Sequence, residues 1–195
     1  MVTNKRKVTL IVLILMVSTT TLAFQTTPVA AGTKTFFDWE FGLFGGVGWS
    51  MLPEAEGWFS FSRVLGDPNY GLVSEGYGHV GIRAYAQHTI DLTKWSGDSD
   101  LTLMVRYGAS STYAGTSKVT QFRIGFMDNS GNVLWEYCER STSNGIVWTQ
   151  KDISVPYANL EPGKIKVYFG VVDSWSADYH MNALCDFITV IGFTT

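Results

Sequence analysis

The chain has 195 residues, with 14 Lys and Arg against 17 Asp and Glu and a formal net charge of −3 at pH 7. That balance leaves no basic surface to draw in a phosphate backbone, so composition argues against DNA or RNA as a partner. Hydrophobic residues make up 46% of the chain, enough for a full core, and no membrane span is expected in the mature chain.

The N-terminus reads as an export signal. Lys5, Arg6 and Lys7 precede an apolar run from Val8 to Val17, and Val29-Ala30-Ala31 before Gly32 supply the small residues of a cleavage site. The run is shorter than the roughly 20 residues that cross a bilayer. The expected division is therefore a signal peptide over residues 1–31 and one domain over 32–195, secreted and extracellular or held at the cell surface. No Asn-X-Ser/Thr sequon occurs, so N-glycosylation is not expected.

Residues 33–41 predict a first strand, followed by a Gly-rich stretch and Trp49. A second short strand is expected over 58–64, closed by the turn signal Gly66-Asp67-Pro68-Asn69. Residues 70–92 hold one long strand, or a hairpin broken at Glu75-Gly76-Tyr77-Gly78. Leu101, Leu103, Val105 and Tyr107 then alternate with Thr102, Met104 and Arg106, the period of a strand with one buried face. Further strands are expected over 148–155, 164–172 and 183–191, where Ile165, Val167, Phe169 and Val171 give the cleanest inward face.

The clearest unit is residues 119–139. Phe122, Ile124 and Phe126 alternate with Gln121, Arg123 and Gly125, and Val133, Trp135 and Tyr137 resume the alternation beyond Asp128-Asn129-Ser130-Gly131. The Gly can take the positive φ that closes such a turn. The pattern predicts a hairpin with Phe126 facing Val133, Ile124 facing Trp135 and Arg123 facing Glu136, since a one-residue slip would expose the greasy face. Trp135 and Tyr137 share parity with Val133 and so belong to the core. Trp148 is expected between the sheets as well. Eight or nine short strands without a convincing helix predict an all-β, two-sheet antiparallel β-sandwich or jelly roll.

Two cysteines, Cys138 and Cys185, sit in predicted strands of an exported chain. They are either a disulfide, which needs Cα atoms within about 7 Å, or two free thiols. A glycosidase needs two carboxyls roughly 5–10 Å apart, but the spacing of Glu136 and Glu139 sends them to opposite faces of a strand. The fallback acids, Asp173 and Asp178, share a loop. His79, His88 and His180 lack the spacing of a zinc site, and no G-x-S-x-G elbow occurs.

If successive strands cross the sandwich and return, the loops 108–118, 140–146 and 173–181 share one rim. They carry Tyr113, Asn144, Asp173, Trp175 and Tyr179 there, a set of aromatic faces, amide and acid suited to sugar rings and hydroxyls. Trp175 either meets a ligand or plugs the end of the sandwich. An outward set, Arg83, Tyr85, Met104, Arg106 and Arg123, reads as a solvated strand face with exposed ion pairs.

Several stretches together resemble carbohydrate-binding modules of the galactose-binding-like jelly-roll type. These are Phe37-Asp38-Trp39-Glu40-Phe41-Gly42 with Gly48-Trp49, His88-Thr89-Ile90-Asp91-Leu92, the strand after Trp148, and Cys185-Asp186-Phe187-Ile188-Thr189-Val190. The resemblance implies a structural Ca²⁺ on Glu40 and Asp186, completed by backbone carbonyls. The chain departs from that pattern at Phe187, where a second Asp is missing, and at Cys185. Glu40 as a surface residue and Asp186 as a hydrogen-bonded strand acid is the competing reading. The expected function is an exported, non-catalytic carbohydrate-binding-like module with a polysaccharide or glycan as partner. A cell-surface or extracellular structural protein with protein partners or self-assembly is the alternative, and a small polysaccharide lyase or hydrolase comes third.

Overall fold

The alternation in the sequence becomes two stacked antiparallel sheets. The structure, a computed structural model, describes residues 32–52, 58–62, 70–75, 83–111, 120–141, 145–172 and 181–195. By contact the chain divides into Met1–Ala31, which lies outside those residues together with the expected export signal, and Gly32–Thr195. In chain order the elements are β1 (Thr33–Glu40), a single helical turn α1 (Phe41–Phe44), β2 (Ser50–Met51), β3 (Trp58–Ser62), β4 (Tyr70–Glu75) and β5 (Arg83–Asp91). Then follow β6 (Leu101–Ser111), β7 (Thr120–Met127), β8 (Val133–Ser141), β9 (Thr149–Val155), a 3-10 turn (Tyr157–Asn159), β10 (Lys164–Val172) and β11 (Met181–Phe193). The fold class is as expected: an all-β, two-sheet sandwich.

The six-stranded sheet runs β3-β4-β11-β6-β9, with β1 also pairing on β11, and the five-stranded sheet runs β2-β5-β10-β7-β8. β11 is the spine of the first sheet. Along one side it pairs with β6 throughout; along the other its N-terminal half pairs with β4 and its C-terminal half with β1. Inward residues of both sheets, among them Leu101, Leu103, Val105, Phe122, Ile124, Phe126, Val167, Phe169, Ile188 and Val190, form one buried core. Burying such side chains at about 25 cal/mol per Å² is what holds the two sheets face to face.

The central hairpin forms with Gly131 at φ 91, and Trp135 and Tyr137 pack against the core as expected. Its register differs from the expected one by two residues: Phe126 faces Trp135, Ile124 faces Tyr137 and Phe122 faces Glu139. Two local features cause this. Asp128 N–H donates to the Asn132 carbonyl at 2.9 Å and the Asp128 carboxylate accepts from Asn132, so the turn closes one residue tighter, with Met127 opposite Val133. Leu134 is then the extra residue at a bulge in β8. An even shift keeps every face, which is why Arg123 and Glu136 still meet as a diagonal ion pair, at 2.5 Å.

The cysteines are two free thiols. Cys138 is exposed on β8 and Cys185 is buried on β11, in the other sheet. Trp148 corrects the expectation that it packs between the sheets. Gly108 has no Cβ to hold off Ile146 and Val147, so the segment before β9 lies against the outer face of the six-stranded sheet. There Trp148 meets Tyr70, ring centroids 5.6 Å apart, and lies over the Arg106 guanidinium at 5.2 Å.

Candidate functional site

The loop-bearing strands converge as the two-way crossing requires. On the six-stranded sheet Met181 is opposite both Glu75 and Ser111. On the five-stranded sheet Val172 is opposite both Arg83 and Gln121, and Thr120 is opposite Ser141. The strand ends that flank residues 76–82, 112–119, 142–144 and 173–180 therefore lie together at one end. Those segments are outside the described residues, and with them Tyr113, Asn144, Asp173, Trp175 and Tyr179.

Adjoining that end, the outer face of the five-stranded sheet carries a second arrangement, which the sequence reading treated as solvated. Parity sets it out in rows across the strands. One row is Cys138, Arg123, Gly170 and Tyr85; the next is Glu136, Gly125, Tyr168, Gln87 and Ser50. Each tyrosine stands beside a glycine, and the glycine makes room for its ring. A Cβ on Gly125 would come within 3.0 Å of the Tyr168 hydroxyl, and one on Gly170 within 2.2 Å of the Tyr85 ring. The rings are 4.8 Å apart by centroid and pack with Met127, Leu52 and Val172. Although they face away from the core, Tyr85 is 1% and Tyr168 0% exposed.

Glu136 is the hub of this face. Its Oε2 accepts from the Tyr168 hydroxyl at 2.6 Å and, at a longer 3.4 Å, from the Tyr85 hydroxyl, while Oε1 accepts from Arg123 Nη1 at 2.5 Å. Arg123 Nη2 donates to Gln121 Oε1 at 2.8 Å, and the Cys138 thiol lies 3.8 Å from the same oxygen. Burial, with the Glu136 carboxylate beside it, pushes the Tyr168 hydroxyl well above the usual phenol range. Burial alone would lower the Arg123 pKa, and the charge of Glu136 outweighs it. Two polar atoms on this face are buried without a hydrogen-bond partner, Gln87 Oε1 and Arg123 Nε. Such groups are rare and costly in native proteins.

A separate polar cluster lies between the sheets, at the side where β8 and β9 are the open edges. The Glu139 carboxylate accepts from Tyr107, from Tyr137 at 2.5 Å and from Lys151 at 2.5 Å, and Lys151 also donates to the Tyr137 hydroxyl at 2.6 Å. Burial would raise the Glu139 pKa; the hydrogen bonds from Lys151, Tyr107 and Tyr137 outweigh it and hold the carboxyl at about 2. Glu136 and Glu139 thus lie on opposite faces of β8, as their spacing requires.

The pair implied for calcium, Glu40 and Asp186, lies where β1 and β6 flank β11. Asp186 is an extra residue at a bulge in β11, between the pairs Cys185–Tyr107 and Phe187–Arg106, and its carboxylate receives Arg106 Nη1 at 2.8 Å. Glu40 is exposed opposite Phe187. A guanidinium, not a second carboxylate, faces Asp186. Among the described residues, no group of three or more His, Cys, Asp or Glu is placed to hold a metal ion.

The convergence of the strand ends was legible because it needs only strand order. The outer face was missed because outward parity was equated with solvent. The available signal was Tyr168 and Val172 in outward positions of β10, with Gly170 between them.

No protein-family model and no curated protein matches the chain. Solved structures share its fold. The carbohydrate-binding module TmCBM27, characterised for specific mannan recognition, has a TM-score of 0.51 at 8% identity, over 83% of this chain and 99% of that one. The K1 cleaved adhesin domain of the Lys-gingipain of Porphyromonas gingivalis W83 has 0.50 at 14% identity, over 81% and 97%. An arabinose-bound GH51 α-L-arabinofuranosidase, MgGH51, has 0.52 at 14% identity, over 75% of this chain but 23% of the enzyme. The chain thus spans less than a quarter of that enzyme's length, and at these identities the likeness is one of fold: a carbohydrate-binding-module-like β-sandwich. Among the described residues no helix is long and apolar enough to cross a membrane.

Proposed function

We propose that the chain is an exported, non-catalytic carbohydrate-binding module. Its glycan lies at the rim, on Trp175, Tyr179, Tyr113, Asn144 and Asp173. The observation that carries this reading is the convergence at one end of the sandwich of the strand ends that flank the segments bearing these residues. The shared fold of a mannan-recognising module supports the same reading.

The two strand carboxylates support binding rather than turnover. Glu136 is tied to Arg123 and Tyr168, and Glu139 is held ionised by three donors on the opposite side of the strand. Glu139 is held below the usual carboxylate range rather than raised like a general acid, and the two carboxylates do not face a common substrate. A glycan array probed with Gly32–Thr195 tests the proposal. Binding to at least one polysaccharide, weakened by Trp175→Ala, is expected; an array without a bound glycan removes the reading.

A second reading, a cell-surface assembly or adhesion domain, draws on one observation. Leu43, Phe44 and Val47 are 73%, 49% and 74% exposed around the turn after β1, and the fold is shared with an adhesin domain. A concentration-dependent oligomer in size-exclusion chromatography, lost in Leu43→Ser with Val47→Ser, would favour it.

A further inference from the structure

We propose that Arg106 is this chain's own cation at the junction of β11 with β1, β4 and β6, and that a guanidinium rather than a calcium ion holds the six-stranded sheet together there. The junction is a weak point by construction. On one side of β11 the partner changes from β4, last paired at Cys185–Gly71, to β1, first paired at Phe187–Glu40. Asp186 falls between the two and is unpaired in the ladder with β6 as well. A bulge at a strand change has lost ladder hydrogen bonds on both sides.

Asp186 also places a carboxylate there with only 8% of its side chain exposed, a charge that needs a counter-charge. Arg106 supplies it from the neighbouring strand at 2.8 Å. The guanidinium is itself held in place: Trp148 lies over it at 5.2 Å and Tyr70 backs Trp148 at 5.6 Å. This is the position at which the sequence resemblance implies calcium. A guanidinium there excludes a dication by like charge, and it accounts for the absence of a second acid at Phe187: a side chain of charge +1 needs one carboxylate, not two. The inference is independent of any glycan.

Thermal unfolding of the full chain tests it. The wild type is expected to melt at the same temperature in EDTA and in millimolar calcium chloride. Arg106→Gln is expected to melt several degrees lower, because it leaves Asp186 buried without its partner, and Arg106→Gln with Asp186→Asn should recover most of that loss. A wild-type melting temperature that falls in EDTA and returns with calcium overturns the inference, as does Arg106→Gln melting like the wild type. If Arg106→Gln does not fold, the wild-type comparison still decides, and Asp186→Asn alone must be calcium-insensitive too.

Discussion

Tyr168 on β10 reaches across Gly125 on β7 to donate its hydroxyl to Glu136 on β8, at 2.6 Å. One hydrogen bond thereby spans three strands, and the glycine between makes it sterically open. Tyr168→Phe should cost about 1.5–3 kcal/mol, the range for a hydrogen bond to a charged group. Glu136→Ala should cost about 3 kcal/mol or more, because it also leaves Arg123 unpaired. Gly125→Ala should be at least as damaging, since its Cβ would lie 2.2 Å from the Trp135 carbonyl oxygen. Urea midpoints of the three variants check this. A Tyr168→Phe variant as stable as the wild type would show that the bond contributes nothing.

Glu139 makes stability depend on acid. Its carboxyl titrates at about 2 when folded, against 4.5 ordinarily. A lowered folded pKa means that the stabilisation is complete above the unfolded value and disappears as the pH falls toward the folded one. The stability gap between wild type and Glu139→Gln should therefore be constant from neutrality down to about pH 5 and narrow between about 4.5 and 2. Denaturation midpoints measured across that range would contradict the cluster if the gap did not narrow.

The thiols should behave differently. Cys138 is exposed, whereas Cys185 is fully buried, and burial, with Asp186 beside it, pushes its thiol well above the usual range. Under native conditions maleimide should label Cys138 alone, and both residues should label in denaturant. An intact mass two hydrogens short, with no label in denaturant, would instead indicate a bridge.

Strands, sheets and core were legible because period-two alternation is a direct consequence of burying one face, and β6, β7 and β10 display it almost without exception. The hairpin register was not. A turn tightened by Asp128 and an extra residue at Leu134 leave no mark in the alternation, and because together they shift the pairing by an even number, the faces came out right. The site was legible in part. Convergence of the strand ends follows from strand order, whereas the outer face depends on Tyr85 and Tyr168 lying over glycines contributed by neighbouring strands, relations between residues 85 and 43 positions apart in sequence. Trp148 was misplaced for a related reason: Gly108, 40 positions earlier, decides where its segment can lie.

The most direct measurement is an equilibrium titration of a polysaccharide selected on the glycan array against wild type and Trp175→Ala. Removing an aromatic face that packs on a sugar ring should weaken binding about tenfold, near 1.4 kcal/mol. Equal affinity for wild type and Trp175→Ala would contradict a glycan seated at the rim.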